Sequence, residues 1–200
     1  RAGVFNDVDF VYTWHPADRN EVSAKGNVAI MGAAFTFKGI ASHAGGSPHL
    51  GRSALDAAEL MSVGANYLRE HMIDKARIHY AYSDAGGVSP NVVQSFAKVK
   101  YEVRAPKVDQ MKELFARVVN VARGAALMTE TETDYAITMA FSDYVPNQIL
   151  ARVASVCFEE IGPTEWDEKD QELAASFLAH YNKSTLSSIR QDMVREFGKN

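Results

Sequence analysis

Four side chains in this 200-residue sequence are candidates for chemistry. His43 lies in the run Ser42-His43-Ala44-Gly45-Gly46-Ser47-Pro48-His49-Leu50-Gly51. Small neighbours let a ligand or a second backbone approach an imidazole closely, and loops on a rigid scaffold carry function more often than core positions do. A solvated loop histidine accounts for the same residues. Asn91 follows Pro90 and the pair Gly86-Gly87. Proline disfavours the helical conformation for Ser89, so the stretch is extended, and its amide either binds a ligand or caps a turn. Arg104 ends the strand that begins near Asn91. A guanidinium grips a carboxylate through two parallel hydrogen bonds; the bland alternative is a surface ion pair of little energetic consequence. Thirteen residues of mostly extended chain separate Asn91 from Arg104, which allows both to line one edge of a sheet. His15 closes an apolar run before Pro16. A histidine at a strand end ligates a metal where other ligands converge, but no second histidine or carboxylate stands at recognisable ligand spacing. His49, His71, His79 and His180 lack supporting context and read as surface or half-buried. Cys157, the single cysteine, sits in the apolar run 151–158 and reads as a small buried hydrophobe rather than a nucleophile.

The elements that must position these groups follow from periodicity. Phe10-Val-Tyr-Thr-Trp14 is β-branched and aromatic, and reads as a strand that stops at His15-Pro16; 18–26 is a polar linker. Residues 27–40 hold a second strand. After the glycine-rich loop, Leu55, Ala58, Met61, Ala65, Leu68 and Met72 recur at three- and four-residue steps, the mark of a helix of about twenty residues that Ser53 can cap. Residues 77–83 alternate, with Ile78, Tyr80 and Tyr82 on one side. Asp84-Ala85-Gly86-Gly87 is turn sequence. Residues 94–104 alternate again, with Phe96, Val99, Tyr101 and Val103 as the apolar members. A second helix spans 107–127 with Met111, Phe115, Val118, Ala122 and Ala125 inward, and 130–141 reads as a strand with Tyr135, Ile137 and Met139 on one side.

The order from 27 to 143 is therefore β-α-β-β-α-β, which predicts an α+β, ferredoxin-like sandwich: a four-stranded antiparallel sheet with two helices on one face. Beyond Pro146 the pattern turns helical, with one helix over 148–161 and one or two more over 168–197. These helices and the segment 1–20 read as the two places where the sandwich is inserted into another domain. Arg1 in place of methionine, followed by strand-like sequence, leads to the expectation that the chain is a piece of a longer polypeptide.

Composition narrows the partners. A hydrophobic share of 46% is enough for a real core. Against 25 acidic residues stand 21 basic ones, a formal charge of −4, so there is no basic field for nucleic acid. No run of about 18 apolar residues is present to span a membrane. One cysteine excludes an internal disulfide framework and fits a reducing, cytoplasmic setting.

The motifs together resemble those of a known family. Gly39-Ile40-Ala41-Ser42-His43-Ala44, then Pro48, Gly51 and Ala54-Leu55-Asp56-Ala57, is similar to the lid-domain signature of the M20 amidohydrolases, the zinc peptidase superfamily that includes carboxypeptidase G and aminoacylase. Gly86-Gly87-Val88-Ser89-Pro90-Asn91-Val92-Val93 resembles the second signature, Arg104 stands where the family has an arginine, and Tyr12-Thr13-Trp14-His15-Pro16 resembles the segment before the lid. Overall likeness points to the aminobenzoyl-glutamate subfamily. The resemblance implies two divalent ions, zinc or manganese, in a separate catalytic domain, with a glutamate as general base. It implies that His43 enters the active site of the other subunit of a homodimer and stabilises an oxyanion. It implies that Asn91 and Arg104 hold the carboxylate of an N-acyl amino acid, that His15 is a metal ligand, and that a second kind of subunit is a possible partner. The Gly-His-Asp motif, the paired glutamates and the final histidine of the family are missing. One ligand of about five is present, so this chain alone is expected to bind no metal pair and to be inactive.

Two other readings share the pattern. One is a stand-alone βαββαβ module that binds an amino acid, which would not need His15, Asn91 and Arg104 together. The other is a structural dimerisation domain with an incidental histidine. The catalytic reading requires the imidazole and the guanidinium to project from the sandwich toward one reaction centre.

Overall fold

Where apolar residues alternate or recur every three to four positions in the middle of the chain, strands and helices form as expected. The computed structural model describes residues 3–16, 20–162 and 165–181. They fall into two compact units, one of residues 24–148 and one from the described parts of 1–23 and 149–200.

In the first unit, β1 (Ala29–Lys38), β3 (Arg77–Asp84), β5 (Phe96–Ala105) and β6 (Glu132–Phe141) form one antiparallel sheet in the order β3-β5-β1-β6. The helices α1 (Ala54–Leu68) and α2 (Val108–Thr129) pack on it. A separate two-stranded ladder joins β2 (Ser42–His43) to β4 (Val92–Val93). The four-stranded antiparallel sheet with helices is the fold expected.

Burial explains the arrangement. Ala97, Val99, Tyr101, Val103 and Ala105 alternate inward along β5 and are buried. Phe35 and Phe37 of β1, Met61 of α1, and Met111 and Val118 of α2 meet them. Phe35 touches Tyr101 edge to face, ring centroids 5.6 Å apart. The helices cross closely at Gly64, where an added Cβ would sit 2.7 Å from Val121 Cγ1. Ser62, the buried polar residue of α1, donates to the Ala58 carbonyl at 2.9 Å and meets the hydroxyls of Tyr101 and Tyr82 at 3.3 and 3.2 Å. Burial pushes the Tyr101 phenol up to about 12, so it remains a donor.

Helix ends are held as their residues dictate. Ser53 accepts the Asp56 amide at 3.0 Å. Lys107, before α2, gives no side-chain cap; Asp143, from beyond β6, accepts the Val108 amide at 3.1 Å and the Lys107 ammonium at 2.9 Å. The Lys107 bond is the main cause that holds the Asp143 carboxyl below the usual carboxylate range.

Three sequence expectations need correction. Phe96 does not join the inward set of β5; it is out of phase with Ala97 and Val99 and lies 37% exposed. On β6, Met139 pairs with Gly32 and Ile137 with Ala33, so a bulge at Thr138 breaks the side shared by Ile137 and Met139. The expected strand 10–14 carries no ladder. Apolar β-branched sequence forms a strand only beside a partner that takes its backbone groups; what ties this segment is Tyr12, whose hydroxyl donates to the Leu150 carbonyl at 2.9 Å.

The second unit contributes α3 (Gln148–Ile161) and α4 (Glu168–Leu178), the latter opened by an Asp167–Asp170 capping box. Of the one or two helices expected over 168–197, α4 is the first and ends at Leu178; residues 182–197 lie outside the described residues. Cys157 is exposed rather than buried. It lies on α3, none of whose residues is buried; Ile149, Val153 and Val156 make an open apolar stripe there. No helix among the described residues is long and apolar enough to cross a membrane.

Candidate functional site

The chain leaves β1 through Gly39, whose amide donates to Ser95 at 2.8 Å, and Ile40 pairs with Arg52 through two 2.9 Å backbone bonds. A Cβ on Gly39 would lie 1.9 Å from the Arg52 carbonyl oxygen, so this close approach requires glycine. The segment then forms β2, where Ser42 pairs with Val93 and His43 with Val92. Ala44 donates to the Asn91 carbonyl at 2.9 Å. Gly51 lies beneath this ladder; a Cβ there would meet Ser42 Oγ at 2.4 Å and Val93 Cγ1 at 2.8 Å. The two glycine-rich motifs are thus joined, and exposed His43 and exposed Asn91 become neighbours at the end of the sheet where β1 finishes and β5 starts.

The His43 ring is locally fixed. Its Nδ1 accepts the amides of Gly46 at 2.8 Å and Gly45 at 3.2 Å. A nitrogen that accepts two N–H groups must present its lone pair, which leaves the proton of a neutral ring on Nε2. His43 therefore offers an exposed N–H donor.

His15 belongs to the other unit and is also exposed. Its Nδ1 lies 2.8 Å from the Pro16 carbonyl oxygen. A carbonyl accepts, so Nδ1 donates and Nε2 keeps a lone pair, the state a metal ligand needs. Among the described residues, no three His, Cys, Asp or Glu side chains lie close enough to hold a metal ion.

Arg104 does not join His43 and Asn91. It pairs with Ile30 near the start of β1 and with Arg77 at the start of β3. Eight residues of β5 separate it from Phe96, about 26 Å at 3.3 Å per residue. The idea that Asn91 and Arg104 line one edge is corrected: β5 is an interior strand, and the two sit at its opposite ends. Its extended backbone carries Arg104 away from Asn91 as fast as a chain can. One copy of the sandwich cannot place His43 and Arg104 on one small ligand. Arg104 is half-exposed, on the face away from the helices, and its Nη2 meets Glu102 at 3.1 Å. Its Nε is buried and makes no hydrogen bond.

Sequence reasoning missed Arg77, which stands directly opposite Arg104. Pairing the alternating outer positions of the two strands is the signal that would have found it.

Comparison with known proteins accords with this architecture. The model of the peptidase dimerisation domain family matches residues 25–129, more than half of the chain. The B subunit of p-aminobenzoyl-glutamate hydrolase from Escherichia coli K12 is 42% identical over 193 residues, covering 94% of this chain and 40% of that protein. Xaa-Arg dipeptidase of Mus musculus is 34% identical over 152 residues, covering 74% and 34%. The crystal structure of an aminobenzoyl-glutamate utilization protein from Klebsiella pneumoniae matches with a TM-score of 0.55 at 29% identity, over 62% of this chain and 32% of that one. The chain spans two-fifths or less of the length of each of these relatives. Its relatives are hydrolases, its two signature loops meet beside His43, and the chain belongs to the M20 peptidase dimerisation domain family.

Proposed function

We propose that this chain is the dimer-forming and substrate-binding part of a cytoplasmic, metal-dependent amidohydrolase that cleaves the amide bond of p-aminobenzoyl-glutamate or a similar N-acyl amino acid. The observation that carries the reading is the placement of His43 with Asn91 at one end of the sheet and Arg104 at the other. In a two-fold dimer whose axis is perpendicular to the strands, the end of one sheet stands beside the opposite end of its twin. Antiparallel contact along β3, the edge strand next to β5, brings the Arg104 end of one copy near the His43 end of the other. The complete site then takes Arg104 from one chain and His43 with Asn91 from its partner.

Each residue has a role that suits its chemistry. His43 donates Nε2–H to the oxygen that gains charge as the amide carbonyl is attacked, a position where a preformed donor lowers the barrier. Arg104 grips the free carboxylate of the amino-acid part, and Asn91 adds an amide donor to that hold. His15, with its Nε2 lone pair free, is a metal ligand. The described residues do not by themselves fit a metal pair, so in this reading two divalent ions, zinc or manganese, are held largely by residues other than these. The lid is 27–143, and 1–20 and 147–200 belong to the catalytic domain. The open stripe Ile149, Val153 and Val156 fits a helix that another part of such a domain covers. The E. coli hydrolase is named as having both an A and a B component, which supports a second kind of subunit as a further partner.

Two measurements test the reading. Sedimentation of this chain should give twice its 22.0 kDa mass. The complete enzyme, supplied with Zn²⁺ or Mn²⁺, should release glutamate from p-aminobenzoyl-glutamate. A monomer at all concentrations, or no release with either ion, refutes it.

A further inference from the structure

We infer that Arg77 is a specificity-determining residue, which with Arg104 selects an N-acyl amino acid bearing an acidic side chain over neutral or basic ones; this rests on the placement of Arg104 at a substrate carboxylate proposed above. The register of β3 on β5 sets Arg77 directly opposite Arg104. Directly opposed antiparallel residues share a face, with Cβ atoms about 4.5–5.5 Å apart. That face is the one away from the helices, since Ile78, Val103 and Ala105 beside them are buried on the other.

Like charges in direct register weaken strand pairing, and little in the fold offsets this pair. Across β1 and β6 the row continues with Ile30 and Phe141, both apolar. One carboxylate, Glu102, reaches Arg104, from a half-exposed position. Arg77 is exposed and turns Nη1 to the carbonyls of Asp74 and Ala76, the latter at 2.6 Å. Those acceptors carry no net charge. Arg104 Nε, buried without a hydrogen bond, is a donor still to be matched. Two opposed guanidiniums, one with an unmatched Nε and the other held by neutral carbonyls, are complementary to a dianion: one carboxylate on Arg104 and a second, from the amino-acid side chain, on Arg77. A basic side chain brought to the same corner would meet two positive charges.

The names of the relatives pose the choice. One contains glutamate, whose side chain is acidic, and the other contains Arg, whose side chain is basic. The paired guanidiniums favour the acidic class for this chain.

The test compares kcat/KM of the complete enzyme on p-aminobenzoyl-L-glutamate and on p-aminobenzoyl-L-glutamine, its neutral isostere. The wild-type enzyme should prefer glutamate. Arg77→Met should lower the glutamate-to-glutamine ratio by about 10- to 100-fold, the worth of a charge-assisted hydrogen bond. Arg77→Lys, which keeps the charge but not the fork, should fall between. Thermal melting and sedimentation establish that each variant is folded and associated as the wild type is. A ratio unmoved in Arg77→Met overturns the inference and leaves the proposed function standing. Equal losses on both substrates overturn it too, as they mark a structural role. A wild-type enzyme that cleaves neither substrate removes the proposed function and this inference with it.

Discussion

A mixed dimer of two impaired chains is the sharpest test of the split site. His43 and Arg104 lie at opposite ends of a sheet whose strand β5 puts about 26 Å between them, so each copy would serve two different sites. Take the complete enzyme as His43→Ala and, separately, as Arg104→Ala. In the first homodimer every site lacks the oxyanion donor, which costs about 100- to 1000-fold in kcat. In the second every site lacks the carboxylate grip, worth about 1.5–3 kcal/mol, and KM rises by about 10-fold or more. Mix the two and exchange subunits to equilibrium. About half of the dimers are then mixed. Each mixed dimer holds one site with Arg104 from one chain and His43 from the other, which is intact, and one site that lacks both. The intact sites should therefore supply about a quarter of wild-type activity, two to three times the mean of the parents, which is about a tenth when KM of Arg104→Ala is raised about 10-fold. The assay is initial-rate hydrolysis at substrate levels near the wild-type KM, followed through subunit exchange. Activity that stays at the parental mean refutes a site shared between copies. Full activity in His43→Ala alone refutes any role for the imidazole.

Two further outcomes test the scaffold under the site. Gly39→Ala forces a Cβ to within 1.9 Å of the Arg52 carbonyl oxygen unless the backbone moves; urea titration should show a loss of about 1–3 kcal/mol, and an unchanged midpoint would show that the β1–His43 connection tolerates the shift. Asp143 has a carboxyl held below its usual range, chiefly by the hydrogen bond from Lys107. A pKa lowered in the folded state adds stability that is present above the unfolded value and is lost as pH falls through the folded one. Wild type should thus melt above Asp143→Asn near neutrality and converge with it as pH falls below about 4, whereas a gap that does not change with pH would mean the charge is idle.

How much of this was legible depended on how local the cause was. Ser53, Ile78, Met111 and Val118 took the roles their spacing predicts, because helix and strand periods are properties of neighbouring residues. The juxtaposition of His43 and Asn91 was not legible in the sequence, where Asn91 was grouped with Arg104 instead. It arises from the β2–β4 ladder, two residues on each side, too short to leave a period. The bulge at Thr138 follows from register, which depends on the partner strand, whereas the exposure of Phe96 follows from its phase along β5 and was readable. Arg104 shows the same limit from the other side. Its place at a strand end was readable, but which end of the sheet that is depends on β5 running antiparallel to β1.

The two histidines show why residue type alone could not assign roles. Each is exposed, and each has its Nδ1 in contact with backbone, yet the contacts have opposite polarity. Two amides donate into the His43 ring, whereas His15 donates out to a carbonyl. Nε2 is consequently a proton donor on His43 and a lone pair on His15. One suits a developing oxyanion and the other a cation, and neither could exchange with the other without reversing its backbone contacts. The glycine pair after His43 serves this polarity: a Cβ on Gly46 would press on Nδ1 at 3.3 Å, and one on Gly45 would lie 3.5 Å from Cε1. Small residues there do more than admit a ligand to the loop. They let the backbone reach the ring and decide which of its nitrogens carries the proton.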